Sequence, residues 1–165
     1  MADKQIMKKS VKVLIPVALG LALICAGTII LSYFNSAPAP EEDEIKVNIQ
    51  LDLDEDIGLL LIDYDMNGAD GAGGISNADK SMLKKDSKDL YWSFDKSQLD
   101  TPSDTVNAAL SFTAVTVYFA PNYDNIYPEE YTVPMGDITF SADFGEIYRV
   151  IITGNKTNGY NVVMD

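Results

Sequence analysis

Ile45-Lys46-Val47-Asn48-Ile49-Gln50-Leu51-Asp52-Leu53 decides the fold class of this chain. Its apolar residues take every second position and polar residues fill the gaps, which is the period of a strand with one buried face. Downstream, Leu59 to Ile62 is a continuous apolar run leading into Asp63-Tyr64-Asp65. A run apolar on both faces suits a strand in the middle of a sheet. The charged stretch Asp54-Glu55-Asp56-Ile57-Gly58 between the two reads as a solvated turn, so the pair is expected to form a hairpin.

Asp65 to Asn77 is rich in glycine and short acids and reads as a loop. Ser76 followed three residues on by Asp79 resembles a capping box, which predicts a short peripheral helix through about Lys85 with Met82 and Leu83 on one side. Leu90 to Phe94 is a strand carrying the chain's one tryptophan, Trp92, whose size marks it as a core anchor, with a binding-surface role as the alternative. Ala108 to Phe119 has the longest strand pattern, and Ala120 to Tyr131 is an aromatic, acidic loop. Ile138, Phe140, Ala142 and Phe144 alternate with polar residues, Gly145 turns the chain, and Ile147 to Thr153 follows as a strand expected to pair with them. Gly154 to Gly159 holds an Asn-Gly turn, after which Tyr160 to Met164 closes the set. About seven strands with no alternating long helices predict a mainly β chain, an antiparallel β-sandwich with immunoglobulin-like layering.

Upstream lies a different kind of sequence. Val13 to Phe34 carries no charge over 22 residues, and at about 1.5 Å per helical residue it reaches roughly 33 Å, enough to cross a bilayer core. The expected organisation is a basic head at 1–12, a transmembrane signal-anchor helix at 13–34, a Pro-rich acidic spacer at 35–44 and a β domain at 45–165. An uncleaved anchor fits best, because the candidate cleavage sites near Ala37 and Ala39 are followed by Pro38 and Pro40. Cleavage there and lipidation at Cys25 are the alternatives. Lys4, Lys8, Lys9 and Lys12 against Asp3 give the head a net +3, whereas the chain after the span holds 8 basic and 24 acidic groups, net −16. Lysines beside a span mark the cytoplasmic side, which puts the acidic body outside the plasma membrane, in a single-pass arrangement. A surface so negative repels nucleic acid and favours cations or basic partners.

Catalytic equipment is sparse. The sequence has no histidine and its one cysteine, Cys25, lies in the apolar run, which removes Ser-His-Asp and Cys-His systems and the usual zinc sites. No phosphate-binding G-x-x-x-x-G-K pattern can be drawn. Asp52, Asp54, Glu55 and Asp56 offer paired carboxylates of the kind a glycosidase uses, although an acidic run is normally surface. Asn155-Lys156-Thr157 matches the N-glycosylation tripeptide.

Asp63-Tyr64-Asp65-Met66-Asn67-Gly68 resembles the first half of a dockerin-type calcium repeat, and Ile75 to Lys85 resembles its second half. With Asp63 at position 1, Gly68 falls correctly at 6, but Asp79 falls at 17 instead of 12. The resemblance implies a calcium-loop-like feature and does not imply cohesin binding. Oxygen ligands at Asp63, Asp65, Asn67, Asp70 and Asp79 make this stretch the candidate Ca2+ site. The functional expectation is a membrane-anchored, surface-displayed β-sandwich module, not an enzyme, attached through residues 13–34 and binding a protein or cell-wall partner. An extracellular hydrolase working through carboxylates is the alternative, as is a secreted or lipidated form of the same module.

Overall fold

The first strand, β1 (Glu44–Leu53), is the stretch that decided the fold class, and Ile45, Val47, Ile49 and Leu51 on it are almost wholly buried. A computed structural model describes residues 39–99, 101–117 and 129–165, which fall in one unit, Ala39–Asp165. The expected head and span, and residues 35–38 of the spacer, lie outside the described residues. Among the described residues no helix is long and apolar enough to cross a membrane.

The strands that follow are β2 (Leu59–Met66), β3 (Ala69–Ile75), β4 (Leu90–Asp95), β5 (Thr105–Val115), β6 (Thr132–Asp143), β7 (Ile147–Asn155) and β8 (Gly159–Met164). They form two four-stranded sheets, the first ordered β4-β1-β7-β8 and the second β3-β2-β5-β6. Every pairing is antiparallel except β1 with β7, which runs parallel from Lys46 opposite Ile147 to Leu53 opposite Gly154. The chain is therefore mainly β, with a single 3-10 turn, Glu129–Tyr131, and one short α-helix, α1 (Lys96–Leu99), among the described residues. Asp95 starts that helix by accepting a 2.7 Å hydrogen bond from the Ser97 N–H, and buried Leu99 holds it down.

Inward residues of both sheets meet in a single apolar cluster that includes Ile49, Leu51, Ile62, Leu110, Phe112 and Ile152. Fully burying such a side chain contributes about 1.5 to 3 kcal/mol. The rings of Tyr64 on β2 and Phe94 on β4 cross edge to face with centroids 5.0 Å apart, so the contact spans the two sheets. Phe140 on β6 and Tyr148 on β7 also meet across the sheets, their rings tilted by 42° with centroids 5.0 Å apart.

Four expectations are corrected. β1 and β2 are not a hairpin: they lie in different sheets, because both edges of β1 are taken by β4 and β7 and the 54–58 connector carries the chain across. The stretch read as a loop after Asp65 is the β2–β3 hairpin, closed by Asn67 and Gly68 at φ 55° and 91°, a two-residue turn of the kind favoured between twisted strands. No helix forms between Ser76 and Lys85. Lys80 sits at φ 63°, which breaks a helix, and Leu83 makes an isolated bridge with Ile57 instead. Finally, β6 and β7 do not pair: Gly145 at φ 87° turns the chain from the second sheet into the first. With β3 included, the strand count among the described residues is eight, against the expected seven or so.

Candidate functional site

The outer face of the second sheet collects most of the residues singled out in the sequence. Alternation along each strand sends Asp63 and Asp65 of β2, Asp70 and Ala72 of β3, and Asp137, Thr139 and Ser141 of β6 outward, all exposed. Between them, Ser111 and Ala109 of β5 stand opposite Asp63 and Asp65. None of these four strands contains a lysine or arginine. The face carries a shallow depression of about 600 Å³ edged by Asp65, Asn67, Asn107, Thr139 and Ser141.

The five residues proposed as calcium ligands divide between two places. Asp63, Asp65 and Asp70 share the outer face, and Asp65 lies directly opposite Asp70 in the register. Asp65 Oδ1 accepts a 2.6 Å bond from the Gly68 N–H and so braces the turn. Asn67 is occupied by the neighbouring strand, its Oδ1 accepting from the Asn107 N–H at 2.9 Å while its own N–H donates to the Asn107 carbonyl at 3.1 Å. Asp79 stands apart, in the segment after β3, where the Ser81 hydroxyl (2.6 Å) and N–H (3.0 Å) donate to its Oδ1 and hold its ionisation below the usual carboxylate range. Among the described residues no three histidine, cysteine or acidic side chains converge as a metal cage.

The acidic stretch 54–56 works differently from a solvated turn. Asp54 accepts from the Asn155 carboxamide, and Glu55 Oε1 accepts from the Lys156 N–H at 2.7 Å and the Tyr160 hydroxyl at 3.0 Å. Asp56 accepts from Lys84 Nζ at 2.8 Å and the Lys85 N–H at 2.9 Å. The crossing between sheets is thereby tied to the β7–β8 loop on one side and to the 84–85 segment on the other. Sequence reading missed this because the partners lie 28 to 105 residues away. The same bonds engage Asn155 of the glycosylation tripeptide, whose Oδ1 also accepts from the N–H groups of Thr157 and Asn158.

Electrostatics follow these contacts. Where the surroundings move an acid among the described residues, they move it down: Asp56 through Lys84, Asp104 through Lys96, Asp95 through Ser97 and Glu44 through Ser93. Tyr160 moves the other way, pushed above the usual phenol range by burial and then by its bond to Glu55.

No family model matches this chain, and no curated protein matches it. Among solved structures it is similar to a disulfide-locked mutant of intermedilysin determined with human CD59, at 8% identity over 74% of this chain and 24% of that one, with a TM-score of 0.32. The chain thus spans about a quarter of that protein's length, and a likeness at this level carries no argument about fold or function.

Proposed function

We propose that the chain is a membrane-anchored, surface-displayed β-sandwich binding module whose working surface is the outer face of the second sheet. The observation that carries this reading is the composition of that face: Asp63, Asp65, Asp70 and Asp137 stand exposed on strands that hold no basic residue. Exposed like charges on one face repel, and Asp65 directly opposite Asp70 is unfavourable within the fold itself. A basic partner would turn that cost into attraction and would also be steered to the face from a distance. The basic head before the apolar run supports the outward orientation.

A hydrolase needs two carboxyls across a cleft with one of them held protonated by a raised pKa. The acids described here that shift are pushed down, and those of the 54–56 connector are engaged as acceptors. That favours binding over catalysis. Calcium is a secondary reading, resting on Asp63, Asp65 and Asp70, because a cation between the opposed Asp65 and Asp70 would relieve their repulsion.

Retention on a poly-lysine surface tests the main reading. A variant with Asp63, Asp65, Asp70 and Asp137 each changed to Asn is compared with one in which exposed Glu42, Asp86, Asp89 and Glu146 are changed to Gln or Asn. Both lose the same charge. Weaker retention of the first variant alone supports the face; equal retention of the two would mean that net charge, and no particular surface, does the binding.

A further inference from the structure

We infer that the free edge of β3 takes an extended peptide strand whose side chains alternate basic and apolar, added to the second sheet by backbone pairing. The inference rests on the binding-module reading above and names the class of partner. Among the described residues β3 is an edge strand, hydrogen-bonded to β2 alone. The parity of its bonds follows from the register. Asn67 bonds Asn107 of the β5 strand through its backbone N–H, so residues 65, 63 and 61 bond toward β5, and 66, 64, 62 and 60 bond toward β3. Ala69, Gly71, Gly73 and Ile75 therefore use their backbone groups on β2. Asp70, Ala72 and Gly74 turn theirs outward, and all three are exposed.

Proteins ordinarily blunt such an edge with proline, a bulge or a lysine. The opposite edge of this sheet, β6, has both Pro134 and a register break opposite Phe112 and Thr113. β3 has none of these devices, and from Ala69 to Gly74 its sequence Ala-Asp-Gly-Ala-Gly-Gly presents no bulky side chain to an approaching backbone.

Side-chain chemistry then selects the occupant. On the outer face an added strand would run beside Asp70, with Asp65 and Asp63 behind it, so its outward residues should be lysine or arginine. On the inner face it would meet glycines at 71 and 73 with the half-buried ring of Trp92 lying against Gly73, so its inward residues should be apolar. A second copy of this chain is disfavoured: two β3 strands paired edge to edge would bring both copies' Asp70 and Asp65 onto one face.

The test uses the full-length chain in neutral detergent with two probes, capped Lys-Val-Lys-Val-Lys-Val and its Glu-Val counterpart. Trp92 is the chain's one tryptophan, so its fluorescence reports on the edge. The lysine peptide is expected to shift that emission to the blue and to slow exchange of the Asp70, Ala72 and Gly74 amides by about tenfold or more, with no response to the glutamate peptide. Ala72→Pro, which removes an outward N–H and leaves the hairpin's own bonds in place, should abolish the effect. Asp70→Lys should reverse the preference toward the glutamate peptide. Binding that survives Ala72→Pro with these amides unprotected overturns the edge while leaving the face as the binding surface; no response to the lysine peptide overturns the edge outright. If Ala72→Pro fails to fold, Asp70→Lys decides: an unreversed preference overturns the proposal.

Discussion

The ring of Trp92 lies so close to the backbone of Gly73 that a Cβ on that glycine would fall 2.2 Å from the ring's Cη2 and 2.8 Å from Cζ2. This glycine is spacing rather than flexibility. It lets a strand of the second sheet lie directly against an aromatic ring on β4 of the first.

Gly73→Ala should therefore destabilise the fold by about 1 to 3 kcal/mol, the range of an overpacked site. Trp92→Ala should cost about as much, less than a fully buried ring, because Trp92 is only half-buried. Denaturant melts of both singles and the double give the coupling. The double should be more stable than the sum of the two losses implies, since the clash disappears with the ring. Strict additivity would mean that the two residues do not touch.

The Glu55 latch governs behaviour at high pH. Burial and the Glu55 carboxylate raise the Tyr160 phenol's pKa, so the folded chain keeps that proton to a higher pH than the unfolded one. The associated stability is complete below about pH 10 and is lost as pH rises from there toward the folded value. Tyr160→Phe should flatten the alkaline fall in stability, and Glu55→Gln should bring the phenol's ionisation earlier in an ultraviolet titration. Glu55→Ala, which strands the Lys156 N–H and the Tyr160 hydroxyl, should cost about 1 to 2 kcal/mol at neutral pH. An unchanged alkaline limb in Tyr160→Phe would remove the latch from the explanation.

Calcium should act weakly. Calcium prefers about six to eight oxygens, and the adjacent strands β2 and β3 offer only Asp63, Asp65 and Asp70, so the dissociation constant should be about 1 mM or higher. At about 1 mM calcium that stabilises the fold by no more than about 0.4 kcal/mol, or roughly 1 to 3 °C in Tm. Melts in calcium and in chelator measure it, with Asp65→Asn/Asp70→Asn abolishing the rise. Identical melting temperatures would eliminate the calcium reading.

Topology is tested on intact cells. On the proposed topology, in which the lysines at 4, 8, 9 and 12 would keep the head in the cytoplasm, protease added outside should remove the body and leave residues 1–12 protected. The released fragment from about Glu41 to Asp165 should stay soluble with a β-dominated circular dichroism spectrum, its core residues being buried on one another. A protected C-terminus would reverse the orientation.

Local pattern determined every described strand but β3 and left their partners open. The alternation from Ile45 to Leu53, the β5 run and the Asn158-Gly159 turn could all be read directly, because side-chain period and turn chemistry are properties of neighbouring residues. The β2–β3 hairpin was equally legible in Asn67-Gly68, but the glycines after it looked like a loop. What makes them a strand is the presence of Tyr64 and Trp92 against Gly71 and Gly73, which is invisible until β4 is in place. Of the candidate site, the carboxylates stood out in the sequence and their division did not: Asp63, Asp65 and Asp70 share a face only because β2 and β3 pair, and Asp79 lies off it beyond the end of β3 at Ile75. Likewise β1 joins β7 rather than β2, and Glu55 reaches Tyr160, across about a hundred residues of chain. Strand pairing and latch bonds are chosen by which edges and donors remain unsatisfied when two sheets bury one core, and that is a property of the assembled fold.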